Sequence, residues 1–222
     1  MVIVHPFLSW MSNVYLLENE AGLFLVDAAP PGYHQHILRV IRQSKKDLKI
    51  IYITHAHFDH YGSAAALREQ TGAKIAIHHA DARAMSRGQT PIRSAHGRSR
   101  WTVPFLPLVN LAYPWLKTAP DILLDDDERL DSFGLPASIL HTPGHTPGSA
   151  CLLVDNGADG PLAFTGDLVS GSHHPHLQNL YADDWSQLPE SLARVQAARP
   201  AQVYPGHGSH PISGDVFQQV NR

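Results

Sequence analysis

The chain's 222 residues are 43% hydrophobic and 17% charged, which suits one soluble globular domain with a sizeable core. A formal net charge of -3 gives no pull toward nucleic acid or anionic lipid, and no apolar run is long enough to span a bilayer. Cys151 is the single cysteine, so no intrachain disulfide forms; with no basic-then-apolar leader at the start, a cytoplasmic protein is expected.

Short strands are predicted at 2–4, 13–18 and 23–26, with a turn from Asn19 to Gly22. Asp27, Pro30, Pro31 and Gly32 break the pattern. A helix follows, with Tyr33, Ile37, Val40 and Ile41 on one face. Residues 49–53 are β-branched and aromatic and read as a buried strand. Thr54-His55-Ala56-His57-Phe58-Asp59-His60 comes next, then a helix predicted over 61–71 with Gly72 as its stop. A strand at 73–77 and a short helix at 78–87 complete the first half.

From 88 to 121 the alternation stops. Pro91, Pro104, Pro107, Pro114 and Pro120 argue against a regular strand or long helix, and Trp101, Phe105, Tyr113 and Trp115 argue against disorder. Such a long excursion is more often functional than idle. A substrate-pocket wall and a homodimer contact are equal readings, both ahead of a plain packed excursion. Strands resume at 122–124, 129–130, 137–140, 150–154 and 162–165. Asp125, Asp126 and Asp127 read as a solvated turn rather than a metal site. A helix at 186–198 has Pro189 in its first turn, and a strand at 202–204 precedes a terminal helix at 212–220.

The stretch 54–60 packs three histidines and one carboxylate into a tight strand-to-helix connection. Imidazole nitrogen and carboxylate oxygen are the ligand set of zinc and other borderline divalent metals. Four such groups exceed what one ion usually takes from one loop, which points to a shared two-metal site. The competing reading is a surface loop in a chain with 16 histidines. Three later stretches each combine a strand end, a glycine and a ligand-capable residue: Gly144-His145, Gly166-Asp167 and Gly206-His207. Glycine lets backbone approach a metal closely, and loops at strand ends present chemistry well. Cys151 lies in an apolar strand and reads as a packing residue.

The pattern H-x-H-x-D-H at His55, His57, Asp59 and His60, followed by His145, Asp167 and His207, resembles the metallo-β-lactamase superfamily. The resemblance lies in the branch of glyoxalase II and related small hydrolases, and all seven positions match in order. Leu25-Val26-Asp27 also resembles the family's N-terminal pattern. The resemblance implies an α/β fold: a four-layer αββα sandwich of two mixed sheets with helices on both outer faces. One domain would cover 1–222, with an irregular insertion at about 88–121. His55, His57 and His145 would hold one metal, Asp59, His60 and His207 a second, and Asp167 would bridge. Asp27 would orient a ligand imidazole, although a strand-ending turn aspartate competes with that role. Two divalent ions are implied, zinc first, with iron or manganese as alternatives. Such a pair of ions, typically roughly 3.5–4 Å apart, would hold a hydroxide between them. Asp59 and Asp167 are the carboxylates expected to act in catalysis.

The implied activity is hydrolysis of a small ester-like molecule, a thioester or a lactone. Glyoxalase II carries a helical C-terminal domain, whereas 15 residues follow His207, so a full glyoxalase II is not expected. A β-lactamase is less favoured, because many are exported and several place cysteine in the second site. Lactonases share the ligand set and size, and the apolar stretch 101–116 could hold an acyl chain. The alternative is a mononuclear iron persulfide dioxygenase using His55 or a neighbour, His145 and Asp167. A scaffold protein would have no use for seven ligands. His174 and Tyr181 are candidates for substrate contact, against the simpler reading of His173, His174 and His176 as exposed loop histidines.

Overall fold

The computed structural model describes residues 1–101, 104, 108, 116–209 and 211–221. The chain opens with a meander of β1 (Ile3–Leu8), β2 (Asn13–Asn19) and β3 (Gly22–Val26), each antiparallel to the next. The Asn19 side chain makes the second turn, its Oδ1 accepting from Ala21 N and Gly22 N. After α1 (His34–Ser44), β4 (Leu48–Ile53) adds parallel to β3. The chain then forms α2 (Phe58–Tyr61), α3 (Ala64–Thr71), β5 (Lys74–His78) and α4 (His79–Arg87). β6 (Ser94–Ala95) stands apart, and β7 (Ile122–Leu124) closes a six-stranded mixed sheet in the order β1-β2-β3-β4-β5-β7.

The second half builds β8 (Ala137–His141), β9 (Ala150–Val154), β10 (Leu162–Gly171), β11 (His176–Leu177) and β12 (Tyr181–Ala182). It ends with α5 (Leu188–Ala197), β13 (Gln202–Gly208), β14 (Ile212–Ser213) and α6 (Gly214–Gln218). The second sheet runs β14-β13-β10-β9-β8 and is also mixed, with β10 parallel to β13. β12 pairs with β6 as a separate two-stranded ribbon.

Strand periodicity sorts the apolar side chains into layers. On β4, Ile51 and Ile53 face the helices, while Ile50 and Tyr52 face the other sheet. On β3, Leu23 and Leu25 join the first group, and Phe24 and Val26 the second. The inter-sheet core also takes Leu152 and Phe164 from the second sheet, whose outer face packs Ala163 and Val203 against Leu188, Leu192 and Phe217. Three cores between four layers give the αββα sandwich. Tyr52 crosses the central core to donate to Ala150 O at 2.8 Å, and Tyr15 donates to Pro205 O at 2.6 Å. Among the described residues, no helix is long and apolar enough to cross a membrane.

Several boundaries differ from the sequence expectation, the first being β1, which runs on to Leu8 instead of ending at residue 4. The helix predicted over 61–71 starts at Phe58 and is broken at Gly62. There the chain packs so closely on Pro31 that a Cβ would meet its Cδ at 2.5 Å. Residues 129–130 form no strand, and Arg129 makes an isolated bridge to Ser138. β10 and β13 run past the glycines taken as strand ends, carrying Asp167 and His207 inside strands. The terminal helix is shorter than 212–220, because Ile212 and Ser213 first pair with β13. Phe105, Tyr113 and Trp115 lie outside the described residues.

Candidate metal centre

The candidate ligands meet along one rim of the sandwich. His55 and His57 follow β4, Asp59 and His60 ride on α2, and His145 sits between β8 and β9. Asp167 comes from β10 and His207 from β13. The ladder between these strands shifts register between Gly166 and Ser170, a bulge that re-aims the Asp167 side chain. A Cβ on Gly206 would meet Asp167 Oδ1 at 2.6 Å and His60 Cε1 at 2.8 Å, so only glycine lets β13 pass this close.

Two groupings of ligand atoms result, each within 4.8 Å: His55, His57, His145 and Asp167, and then Asp59, His60 and His207. Asp167 stands between them. Its Oδ1 is 3.2 Å from His60 Nε2, and its Oδ2 is 3.2 Å from His145 Nε2 and 3.1 Å from His207 Nε2. Asp59 Oδ2 lies 3.6 Å from both His60 Nε2 and His207 Nε2. All are buried apart from His207, whose ring faces the adjacent cavity.

Outward hydrogen bonds fix each imidazole. A carbonyl can only accept, so His57 donates Nε2–H to Pro91 O at 2.9 Å, and His145 donates Nδ1–H to Tyr181 O at 2.9 Å. Asp27 Oδ2 takes His60 Nδ1 at 2.8 Å. Thr54 Oγ1 donates to Asp27 and therefore accepts from His55 Nδ1 at 3.0 Å. The inner nitrogens of His55, His57, His60 and His145 are thus left facing into the cluster. His57 Nδ1 and His145 Nε2 face each other at 3.0 Å, a repulsive contact unless a cation lies beside them. His55 Nε2 and Asp167 Oδ1 are buried without a hydrogen-bond partner. Orphaned acceptors around one point, all nitrogen and carboxylate, fit divalent metal ions.

The charges agree with this. Burial pushes His55 and His57 well below the ordinary imidazole range, with the neighbouring histidines adding to it. Burial also opposes charge on His60 and His207, but the surrounding carboxylates, Asp167 foremost, outweigh it and raise both. For Asp167 burial opposes ionisation, yet His207, His60, His145 and His55 outweigh it and hold the carboxyl well below its usual range. The cluster therefore draws in positive charge, which metal ions satisfy by displacing protons.

Asp27 occupies a left-handed backbone conformation, φ 60°, that aims its carboxylate at both His60 and Thr54. Sequence reasoning passed over a second buried carboxylate, Asp81 in the first turn of α4. Its Oδ2 accepts from Ala56 N and Thr146 Oγ1, and its Oδ1 from Gly148 N, all at 2.7 Å. It fastens the loop of His55 and His57 to the loop of His145. Asn13 was also passed over; its Nδ2 donates to Pro205 O and Gly208 O on either side of His207.

A cavity of about 310 Å³ opens beside the cluster. His57, Asp59, His145, Asp167 and His207 form its floor, and Tyr181 lies in its wall. His174 is exposed, and His176 is the histidine of its loop that lines the wall. Thr90 and Ile92, near the start of the 88–121 segment, line it too. A third grouping, His78, His79 and Asp125, lies within 4.8 Å, although the sequence suggested no ligand role for it. There His78 accepts from Ala80 N as the cap of α4, and His79 pairs with Asp125.

The metallo-β-lactamase superfamily model matches residues 9–207, and the chain belongs to that superfamily. It is 32% identical over 162 residues to a hydroxyacylglutathione hydrolase of Pseudomonas aeruginosa, covering 72% of this chain and 47% of that protein. The chain spans between about half and two thirds of the length of such curated relatives. Among solved structures, the BLEG-1 B3 metallo-beta-lactamase superposes with a TM-score of 0.73 at 24% identity, covering 100% of this chain and 98% of that one. TTHA1623, solved in a di-iron-bound form, superposes with a TM-score of 0.69 at 26% identity, covering 98% of each chain.

Proposed function

We propose that the chain is a dinuclear metal-dependent hydrolase of a small ester-like substrate, a thioester or a lactone. The observation that carries this reading is the pair of lone pairs on His57 Nδ1 and His145 Nε2, 3.0 Å apart beside Asp167. Both rings donate outward, to Pro91 O and Tyr181 O, and cations between them would take up the inward lone pairs. The matching second group and the Asp167 carboxylate between the two argue for two ions rather than one. The di-iron form of TTHA1623 and the likeness to hydroxyacylglutathione hydrolases support the same reading.

Two divalent ions, zinc first among the candidates, would supply a hydroxide at neutral pH and polarise the acyl carbonyl. The chain's own residues do the remaining work. Asp27, Pro91 and Tyr181 hold the ligand tautomers. Asp167 and Asp59 stand at the cavity floor, placed to orient the attacking oxygen. Phe58, Ile92 and Met11 wall the floor from bulk water.

Elemental analysis of the purified protein, paired with a panel of thioesters and lactones, tests the reading. About two ions per chain are expected, with turnover lost in His57→Ala and Asp167→Ala variants that keep their circular dichroism. Retained turnover in either variant overturns it. One iron per chain, with oxygen uptake on a persulfide, would instead favour the mononuclear dioxygenase.

A further inference from the structure

We propose, resting on the hydrolase reading, that the cavity selects uncharged thioesters and esters with an apolar acyl arm and discriminates against anionic thiol partners. Its volume of about 310 Å³ is at the small end of ligand sites, so substrate and wall are in close contact. Above the polar floor, the wall is built from Met11, Phe58, Ile92, Val169 and Leu180. None of its lining residues among those described is a lysine or arginine.

Several of the nearby polar groups are already engaged. The Gln178 side chain donates to Asp167 O at 3.2 Å and accepts from Leu180 N at 2.8 Å. His176 Nδ1 is bonded to the His174 carbonyl at 3.1 Å. Arg93, one residue beyond the wall residue Ile92, is held by Asp183 at 2.9 Å. A carboxylate carried against this wall would lose water and meet no lysine or arginine among the described lining residues, which is unfavourable. A hydrocarbon arm, in contrast, gains about threefold to fourfold in binding for each buried methylene.

The reaction is a balanced hydrolysis. The oxygen of water bonds to the acyl carbon, the C–S or C–O bond breaks, and the products are a carboxylic acid and a neutral thiol or alcohol. The partner that leaves is therefore expected to carry no carboxylate.

The test compares zinc-loaded protein on two thioesters with the same acyl group, one of neutral N-acetylcysteamine and one of glutathione, over acyl lengths from four to eight carbons. The neutral series should be favoured by about tenfold or more in kcat/KM, rising about threefold per methylene. Leu180→Arg places a cation on a half-exposed wall position and should shift the ratio about fivefold or more toward glutathione. Equal or better turnover of the glutathione series, or no response to acyl length, overturns this inference and leaves the hydrolase reading standing. Failure of both series and of simple esters and lactones overturns both.

Discussion

Asp27 and His60 meet in the core of the rim, carboxylate Oδ2 to imidazole Nδ1 at 2.8 Å, although 33 residues separate them in sequence. Both groups are buried, and the same carboxylate takes the amide and hydroxyl of Thr54. The bond fixes the tautomer that turns His60 Nε2 toward Asp59 and Asp167, and its charge makes that nitrogen a stronger donor. Asp27→Asn keeps the shape and removes the charge. Metal affinity of the second group should fall about 10- to 100-fold, measured by competition with a chromophoric chelator. Unchanged affinity would remove Asp27 from the orienting role.

Asp81 carries a larger structural load. Both of its oxygens accept backbone N–H groups, from Ala56 and Gly148, so Asp81→Asn must turn an NH₂ toward one of them. Asp81→Ala leaves both buried donors unpaired. At about 1–3 kcal/mol for each unsatisfied donor, either variant should lose roughly 2–5 kcal/mol of unfolding free energy in urea titration. Both ligand loops should loosen together, so metal content should fall with stability. A stable variant with full metal content would contradict this.

The ligand set was legible because its residues are chemically distinctive and closely spaced: His55, His57, Asp59 and His60 lie within six positions. The strands were legible where alternation separates two buried faces, as in β2, β3 and β4. Asp81 was invisible because one aspartate in a helical stretch resembles a solvated surface residue until the fold buries it. Pro91 and Tyr181 hold His57 and His145 through main-chain carbonyls, which leave no side-chain signature. The glycines before Asp167 and His207 suggested strand ends, yet they mark close backbone passage inside continuing strands. His174 lies in the bend before β11 and His176 opens that strand, and sequence did not reveal which would face the cavity.

The carbonyls of Pro91 and Tyr181 share a support. β6 pairs with β12, Ser94 Oγ donates to Ala182 O at 2.9 Å, and Trp185 Nε1 donates to Ser94 Oγ at 2.7 Å. His96 stacks on Trp185 with ring centroids 3.8 Å apart. Ser94→Ala removes two side-chain bonds without touching a ligand. Affinity of the first group should weaken by a few fold, about 1–2 kcal/mol for the lost bonds, while the second group is unaffected. Titration with a spectroscopically visible cobalt ion would separate the two sites. Equal weakening of both would show that the ribbon does not act on His57 and His145 in particular.

His78 gives a pH dependence away from the ligands. Its ring is buried and stacks on His141 at 4.0 Å, with His79, Asp125 and Asp126 also near. Burial, reinforced by His141 and His79, pushes its pKa down to about 4, and the two aspartates only partly offset this. The unfolded chain therefore binds this proton at about pH 6.5 and below, where the folded chain does not. Its contribution to stability is full above pH 6.5 and declines as pH falls toward 4, by at most about 1.4 kcal/mol per pH unit. His78→Asn keeps a side-chain acceptor at the cap of α4 and abolishes the titration. Between pH 7 and pH 5 the wild-type chain should lose on the order of 2 kcal/mol more than the variant in urea unfolding. Parallel losses in the two proteins would mean that His78 takes up its proton equally well in the folded state.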